Sequence, residues 1–309
     1  MSSNDATPDE PFGKLMQQYQ RAVENRDFDD ASGAVHDIFA LAEEWSEENP
    51  SPDFELTIAA GAFEERADWG AAESAYNQIL CLSDLEPATE YKAHSNLASL
   101  FRLLGRNLDA LGHARCATAA ARRVDLSILL AMALKGETRC LIRCGEIAEA
   151  VNVIAEAISA IDDDTMCNQM CASLLTLRAE CAIRNGAIAE AEGDLDEAFS
   201  LLEPMAGMDI AAGVHSDLSH WWSVTARLRA KHDDRDGTIS AWQKAVLTAK
   251  HVASLPHADN VYTKAAVANI LKGLADALLL CGRPDDAAAA IDERNAILYN
   301  IGVPNTDAE

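Results

Sequence analysis

Residues 271–291 read LKGLADALLLCGRPDDAAAAI. Leu271, Leu274, Ala275 and Leu278 fall on one stripe at helical spacing, Gly282 interrupts it, and a second apolar run continues through Ala287, Ala290 and Ile291. Two helical periods separated by a glycine break predict two antiparallel helices joined by a tight turn. Small side chains stand where the two backbones must touch. The same grammar recurs upstream, so the chain reads as an array of one unit.

The small residue that opens each second helix is Ala31, Ala72, Ala110, Ala150, Ala191, Thr238 and Ala287, at spacings of 41, 38, 40, 41, 47 and 49 residues. A period of this length marks a helical-hairpin solenoid. One hairpin cannot bury both of its faces, so each unit stacks on the next and the core becomes continuous. Breaks fall at Asn49-Pro50-Ser51-Pro52-Asp53, near Pro87, at Asp162-Asp163-Asp164, at Glu203-Pro204 with the loop through Gly207 and Gly213, and at Pro256. Proline cannot continue a helix and restricts the residue before it. The expected organisation is a polar tail over 1–11, a repeat domain over 12–302 and a second polar tail over 303–309.

Composition agrees with an all-helical protein. Alanine is abundant, aromatics make up 6%, and runs dense in Val, Ile and Thr are missing. A formal net charge of −25 works against nucleic acid and anionic membrane surfaces, because phosphate binding runs on Lys and Arg. The N-terminal MSSNDATPDEP has no basic region followed by an apolar one, and no run of about 18 apolar residues exists. The expected compartment is the cytoplasm. Of the eight cysteines, Cys140 and Cys144 lie four apart, as do Cys167 and Cys171, unlike the two-residue spacing of zinc knuckles. Cys81, Cys116, Cys181 and Cys281 fall within apolar stripes, where cysteine behaves as a small hydrophobe. No metal or cofactor is expected.

The units resemble the tetratricopeptide repeat family, in a long-helix variant. Leu271-x2-Leu274-Ala275-x2-Leu278-x3-Gly282-x4-Ala287 fits its motif, as do His94-x2-Leu97-Ala98-x2-Phe101-x3-Gly105-x4-Ala110 and the counterpart from Leu175 to Ala191. Trp222 falls on the signature tryptophan position and Trp69 on the aromatic turn position. That family repeats every 34 residues, so the longer period here implies extended helices. The resemblance implies an all-α, right-handed α-α superhelix of about seven antiparallel helical hairpins, with the first helix of each hairpin lining the concave face.

No Gly-rich phosphate loop, GxSxG or HExxH is present. His215 and His220, five apart, diverge on one helix, and the remaining histidines read as scattered surface residues. No enzymatic activity is expected.

The basic residues carry more information. First helices hold Lys92 and Arg102, then Lys135, Arg139 and Arg143, then Arg184, then Arg227 and Lys231, then Lys272, whereas the first two hairpins hold Glu24, Glu64 and Glu65. Like charges four apart on a helix repel by about 0.2–0.5 kcal/mol a pair, so the row from Lys135 to Arg143 implies an anionic neighbour. That neighbour is either an acidic peptide or carboxylate in the groove, or acids of the next unit, with the helix dipole also favouring cations in a last turn. In chaperone-binding members of the family a Lys/Asn/Arg clamp holds a C-terminal carboxylate. Asn96, Lys135 and Arg139 resemble it only loosely.

Adjacent Trp221 and Trp222 point about 100° apart on a helix. By motif position Trp222 belongs to the core, leaving Trp221 half-exposed as a groove anchor or an inter-repeat contact. The expected function is a protein-interaction scaffold that binds an acidic peptide or partner segment on its concave face. The alternative is a regulator that senses a peptide or small molecule and acts on a separate output chain. The terminal segment with Ile297, Leu298, Tyr299 and Ile301 is either a cap or a homodimer interface.

Overall fold

The computed structural model of the chain describes residues 14–15, 17–18, 21, 37, 52–124, 126–161, 165–206, 212–255 and 258–304. Of the first expected hairpin only residues 14–15, 17–18, 21 and 37 are described; Glu24 and Ala31 lie outside the described residues, as do Asp162-Asp163-Asp164, Gly207 and Pro256. Among the described residues there are twelve α-helices and no strands. They are α1 (Pro52–Glu65), α2 (Trp69–Leu80), α3 (Pro87–Leu103), α4 (Asn107–Ala121), α5 (Ser127–Cys144), α6 (Ile147–Ser159), α7 (Thr165–Asn185), α8 (Ile188–Leu202), α9 (Ala212–Lys231), α10 (Arg235–Ser254), α11 (Val261–Leu280) and α12 (Pro284–Asn300). They form six stacked antiparallel hairpins. The packing period is the one predicted: Ala72, Ala110, Ala150, Ala191, Thr238 and Ala287 are all buried. The widening of the period towards the C-terminus is helix length, because α9, α10 and α11 reach 20 residues each against 14 and 12 in α1 and α2.

Every hairpin turns in the same way. One residue adopts a left-handed conformation two positions before the second helix: Ala67, Gly105, Gly145, Gly186, Asp233 and Gly282, with φ from 57° to 83°. The next amide then reaches back to a carbonyl five residues earlier, as in Arg106 N–H to Phe101 O (2.8 Å) and Arg283 N–H to Leu278 O (2.9 Å). This is the Schellman closure, which satisfies helix-end carbonyls and favours glycine at the left-handed position.

The core runs in overlapping clusters, one from α1 to α7, a second shared by α7, α8 and α9, and a third from α9 to α12. A fourth brings the two ends together. Val261, Ala265, Ala268, Leu298, Ile301 and Val303 bury against one another, with Trp69, Leu103 and Tyr262 packed on them. Trp69 Nε1 donates to the Gly302 carbonyl at 3.0 Å, and the Tyr262 hydroxyl donates to Glu64 Oε1 at 2.5 Å. The stack therefore curls until the hairpin α1–α2 touches α11 and the segment after α12. Within the described residues the terminal segment packs into this contact, with Leu298, Ile301 and Val303 buried. Tyr299 remains exposed.

The cysteines divide in a way the stripes did not predict. Cys140 and Cys181 are buried and Cys281 is half-buried, but Cys81 and Cys116 are exposed, because each lies on the solvent side of a short second helix or its end.

Candidate ligand-binding cavity

The curl of the stack leaves a cavity of about 390 Å³, walled mainly by first helices. Arg102 comes from α3, Arg139 and Arg143 from α5, Glu180 and Arg184 from α7, and His220 and Arg227 from α9. Trp242 of α10 and Tyr262 of α11 line the other side. Five guanidinium groups thus face a space whose lining holds one carboxylate, in a chain of net charge −25. Lys135, one turn before Arg139, opens instead into an adjoining recess of about 150 Å³, which shares Arg102 and Arg139 with the main cavity.

The cations fall into two groups. Glu180, buried in α7, accepts from Arg227 Nη1 at 2.5 Å and Arg184 Nη2 at 3.1 Å, and faces His220 Nε2 at 3.3 Å. Burial alone would raise the Glu180 pKa. Contact with His220 and the charges of Arg227 and Arg184 outweigh it and hold the carboxyl well below the ordinary range. Arg143 donates through Nε to Asn107 Oδ1 at 3.0 Å. Arg102, Lys135 and Arg139 have no hydrogen bond or ion pair among the described residues, although all three are half-buried. Burial, with Arg139 and Arg143 alongside, lowers the Arg102 pKa to about 10. Burial first, and Arg139 second, bring Lys135 down to about 8, with Asp217 pulling weakly the other way. The charged forms of these groups are short of a counter-charge.

A second buried carboxylate stands at the closure. Glu64 accepts from both Tyr262 and Tyr76. Burial raises its pKa and the two hydroxyls oppose that rise, while burial and the adjacent Glu64 push both tyrosines upward. Glu64, an acid where later first helices carry cations, is a junction between α1, α2 and α11.

No family model matches the chain, and no curated protein sequence matches it. Among solved structures, aspartyl phosphate phosphatase F from Bacillus subtilis superposes with a TM-score of 0.58 at 12% identity, over 96% of this chain and 73% of that one. BtubC from P. vanneervenii gives 0.43 at 17% identity, over 88% and 94%, and a tetratricopeptide repeat protein from Parabacteroides merdae gives 0.45 at 16%, over 82% and 80%. The in-phase hairpins, their buried alanines and the end-to-end superposition decide the fold. It is the tetratricopeptide-like repeat fold.

Within this tetratricopeptide-like fold, five of the residues picked from sequence, Arg102, Arg139, Arg143, Arg184 and Arg227, share one cavity, and Lys135 adjoins it. Lys92, Asn96 and Lys231 do not line it. Lys92 and Lys231 are exposed elsewhere, and Asn96 stands beside the Tyr76 hydroxyl. The loose clamp of Asn96 with Lys135 and Arg139 is therefore not assembled. Trp221 is the clearest correction. It is buried, donates through Nε1 to the Leu195 carbonyl at 2.8 Å and packs on Phe199, whereas Trp222 is the half-buried one, with Lys244 Nζ 4.3 Å from its ring centroid. The two indoles do diverge, but a solenoid has a core on each side of every helix. Trp221 enters the α7–α8–α9 core and Trp222 bridges to the next. Glu180 and His220 were missed as site residues. The four-residue spacing of Glu180 and Arg184 was a usable signal for the former; nothing in the sequence pointed His220 inward.

Proposed function

We propose that this chain is a protein-interaction scaffold that receives an acidic peptide or an acidic partner segment on its concave face. One observation carries the reading: five guanidinium groups line a single cavity against one carboxylate, and the cluster of Arg102, Lys135 and Arg139 is unpaired among the described residues. Charge-assisted hydrogen bonds to such donors are about twice as strong as neutral ones. Polar specificity in a cavity of this size rests on a few well-placed groups. Arg184 and Arg227 are already paired with Glu180, so they shape the wall, while the α3–α5 cations supply most of the attraction. The tetratricopeptide-like fold is compatible with a protein partner.

The test is a fluorescence anisotropy titration with a labelled acidic decapeptide and its Gln/Asn counterpart. Wild type should bind the acidic form alone, with affinity falling as salt rises, and Arg139→Glu should abolish binding while keeping the helical content. Equal binding of both peptides, or unchanged binding by Arg139→Glu, would remove the basic cavity as the site.

The closed form of the stack favours one further reading, a ligand-responsive regulator. Few side chains join its ends, so a ligand that bridges α5 and α11 would stabilise the closed form and one that wedges them apart would open it. Small-angle scattering with and without saturating acidic peptide distinguishes the two, since a plain scaffold keeps its radius.

A further inference from the structure

The recess beside the main cavity has a composition of its own. It lies between α3 and α5, and its polar lining consists of Arg102, Lys135, Arg139, Tyr91, Ser95 and Ser99. No carboxylate lines it. Ser95, Ser99 and Arg102 follow one another on one face of α3, and Lys135 and Arg139 lie one turn apart on α5, so three cationic groups and three hydroxyls face one small space.

A peptide carboxylate is a poor match for that donor set. It brings one negative charge and two oxygens, enough for one guanidinium in bidentate contact. A phosphomonoester brings close to two charges at neutral pH and three acceptor oxygens, and arginine clusters are its usual receptors. We propose that the α3–α5 recess is a subsite for a phosphomonoester, and that the acidic ligand of the concave face is anchored there by its phosphate. The proposal rests on the reading of the concave face as an acidic-ligand site. The depressed pKa of Lys135 and of Arg102 accords with it, because a dianion in the recess would stabilise the charged forms against burial and mutual repulsion.

The wall of the recess offers a way to block it without touching a charge. Gly136 sits inside α5 on the recess lining, and a Cβ built there meets nothing within 4 Å. Glycine in a helix interior is unfavourable relative to residues with a side chain, so Gly136→Leu should fold at least as well as wild type while filling the space. Arg139→Gln removes the shared cation.

Isothermal titration would compare three peptides of one acidic sequence that carry phosphoserine, serine or glutamate at the central position, together with free O-phosphoserine and inorganic phosphate. The expected result is a phosphopeptide at least tenfold tighter than its glutamate twin. Gly136→Leu should erase that preference, and Arg139→Gln should weaken both. If phosphoserine and glutamate peptides bind alike and Gly136→Leu changes neither, the subsite is overturned while the acidic-ligand reading stands. If no peptide binds but free O-phosphoserine or phosphate does, and Gly136→Leu abolishes it, the subsite stands for a small phosphorylated compound and the peptide reading falls. Binding of none of the five probes overturns both.

Discussion

Glu180 is where charge bookkeeping and geometry meet. One buried carboxylate answers two guanidinium groups and a histidine from a neighbouring hairpin, so removing its charge strands several donors at once. Glu180→Gln should cost about 1–3 kcal/mol of stability, the usual range for leaving a buried polar partner unsatisfied, measured by urea unfolding. Because the folded pKa is depressed, the contribution is present above the ordinary carboxylate pKa and lost as pH falls through the folded value. Wild type and variant should converge in acid. Lys135 gives a pH slope of the same sign, but its charge is a penalty on the fold instead of a contribution to it. Its folded pKa of about 8 lies below the ordinary 10.5, so between those values the unfolded chain binds more protons and stability gains with rising pH. Lys135→Met should be the more stable protein at pH 7, with the gap narrowing towards pH 10; a gap independent of pH would show that Lys135 carries no such burden. At this scale the sequence was legible in part. The row Lys135, Arg139, Arg143 announced a charge needing an answer, but whether a given cation finds it within the fold depends on contacts 40 or more residues away, such as those of Arg227 and His220 to Glu180. Trp221 shows the same limit: motif register fixes which indole matches the repeat, not which neighbouring helix each one enters.

Helices and turns were the most readable level. Apolar periods, the left-handed glycines and the small residue opening each second helix are local features, and the six described hairpins follow them. Two departures lead to predictions. Asp233 holds the left-handed turn position that glycine holds in four of the other hairpins, with φ of 57°, and no contact of its side chain compensates among the described residues. Asp233→Gly should stabilise the protein by about 0.5–1 kcal/mol, seen as a higher midpoint in thermal unfolding. Gly273, inside α11, is a glycine for a different reason. A Cβ there would stand 2.3 Å from the Trp242 ring, which is the floor of the α10–α11 contact and part of the cavity wall. Gly273→Ala should therefore destabilise by about 1–3 kcal/mol through overpacking and weaken acidic-peptide binding with it. A neutral effect on both would mean that the indole swings clear without consequence.

The whole molecule was the least legible level. Nothing in a repeat pattern tells how far a stack curls, because pitch accumulates from small rotations between units. Here the ends meet through pairs 198 and 233 residues apart, Tyr262 with Glu64 and Trp69 with Gly302. Such contacts leave no local signature. Trp69→Phe combined with Tyr262→Phe removes both hydrogen bonds and leaves the rings, so the stack should open and its radius of gyration rise in small-angle scattering, with helical content unchanged. An unchanged radius would place the closure in the apolar cluster around Val261 and Leu298 alone. The closure also matters to the cavity, since Tyr262 belongs to both and raises the basic cluster from an open groove to a partly walled site. The measurement that bears most directly on the account is photo-cross-linking of an acidic peptide carrying a photoreactive residue, with the adducts mapped by mass spectrometry. Adducts are predicted on the inner residues of α3, α5, α9 and α11, and lost in Arg139→Glu. Adducts confined to the outer helices α4, α6, α8 and α12 would contradict it.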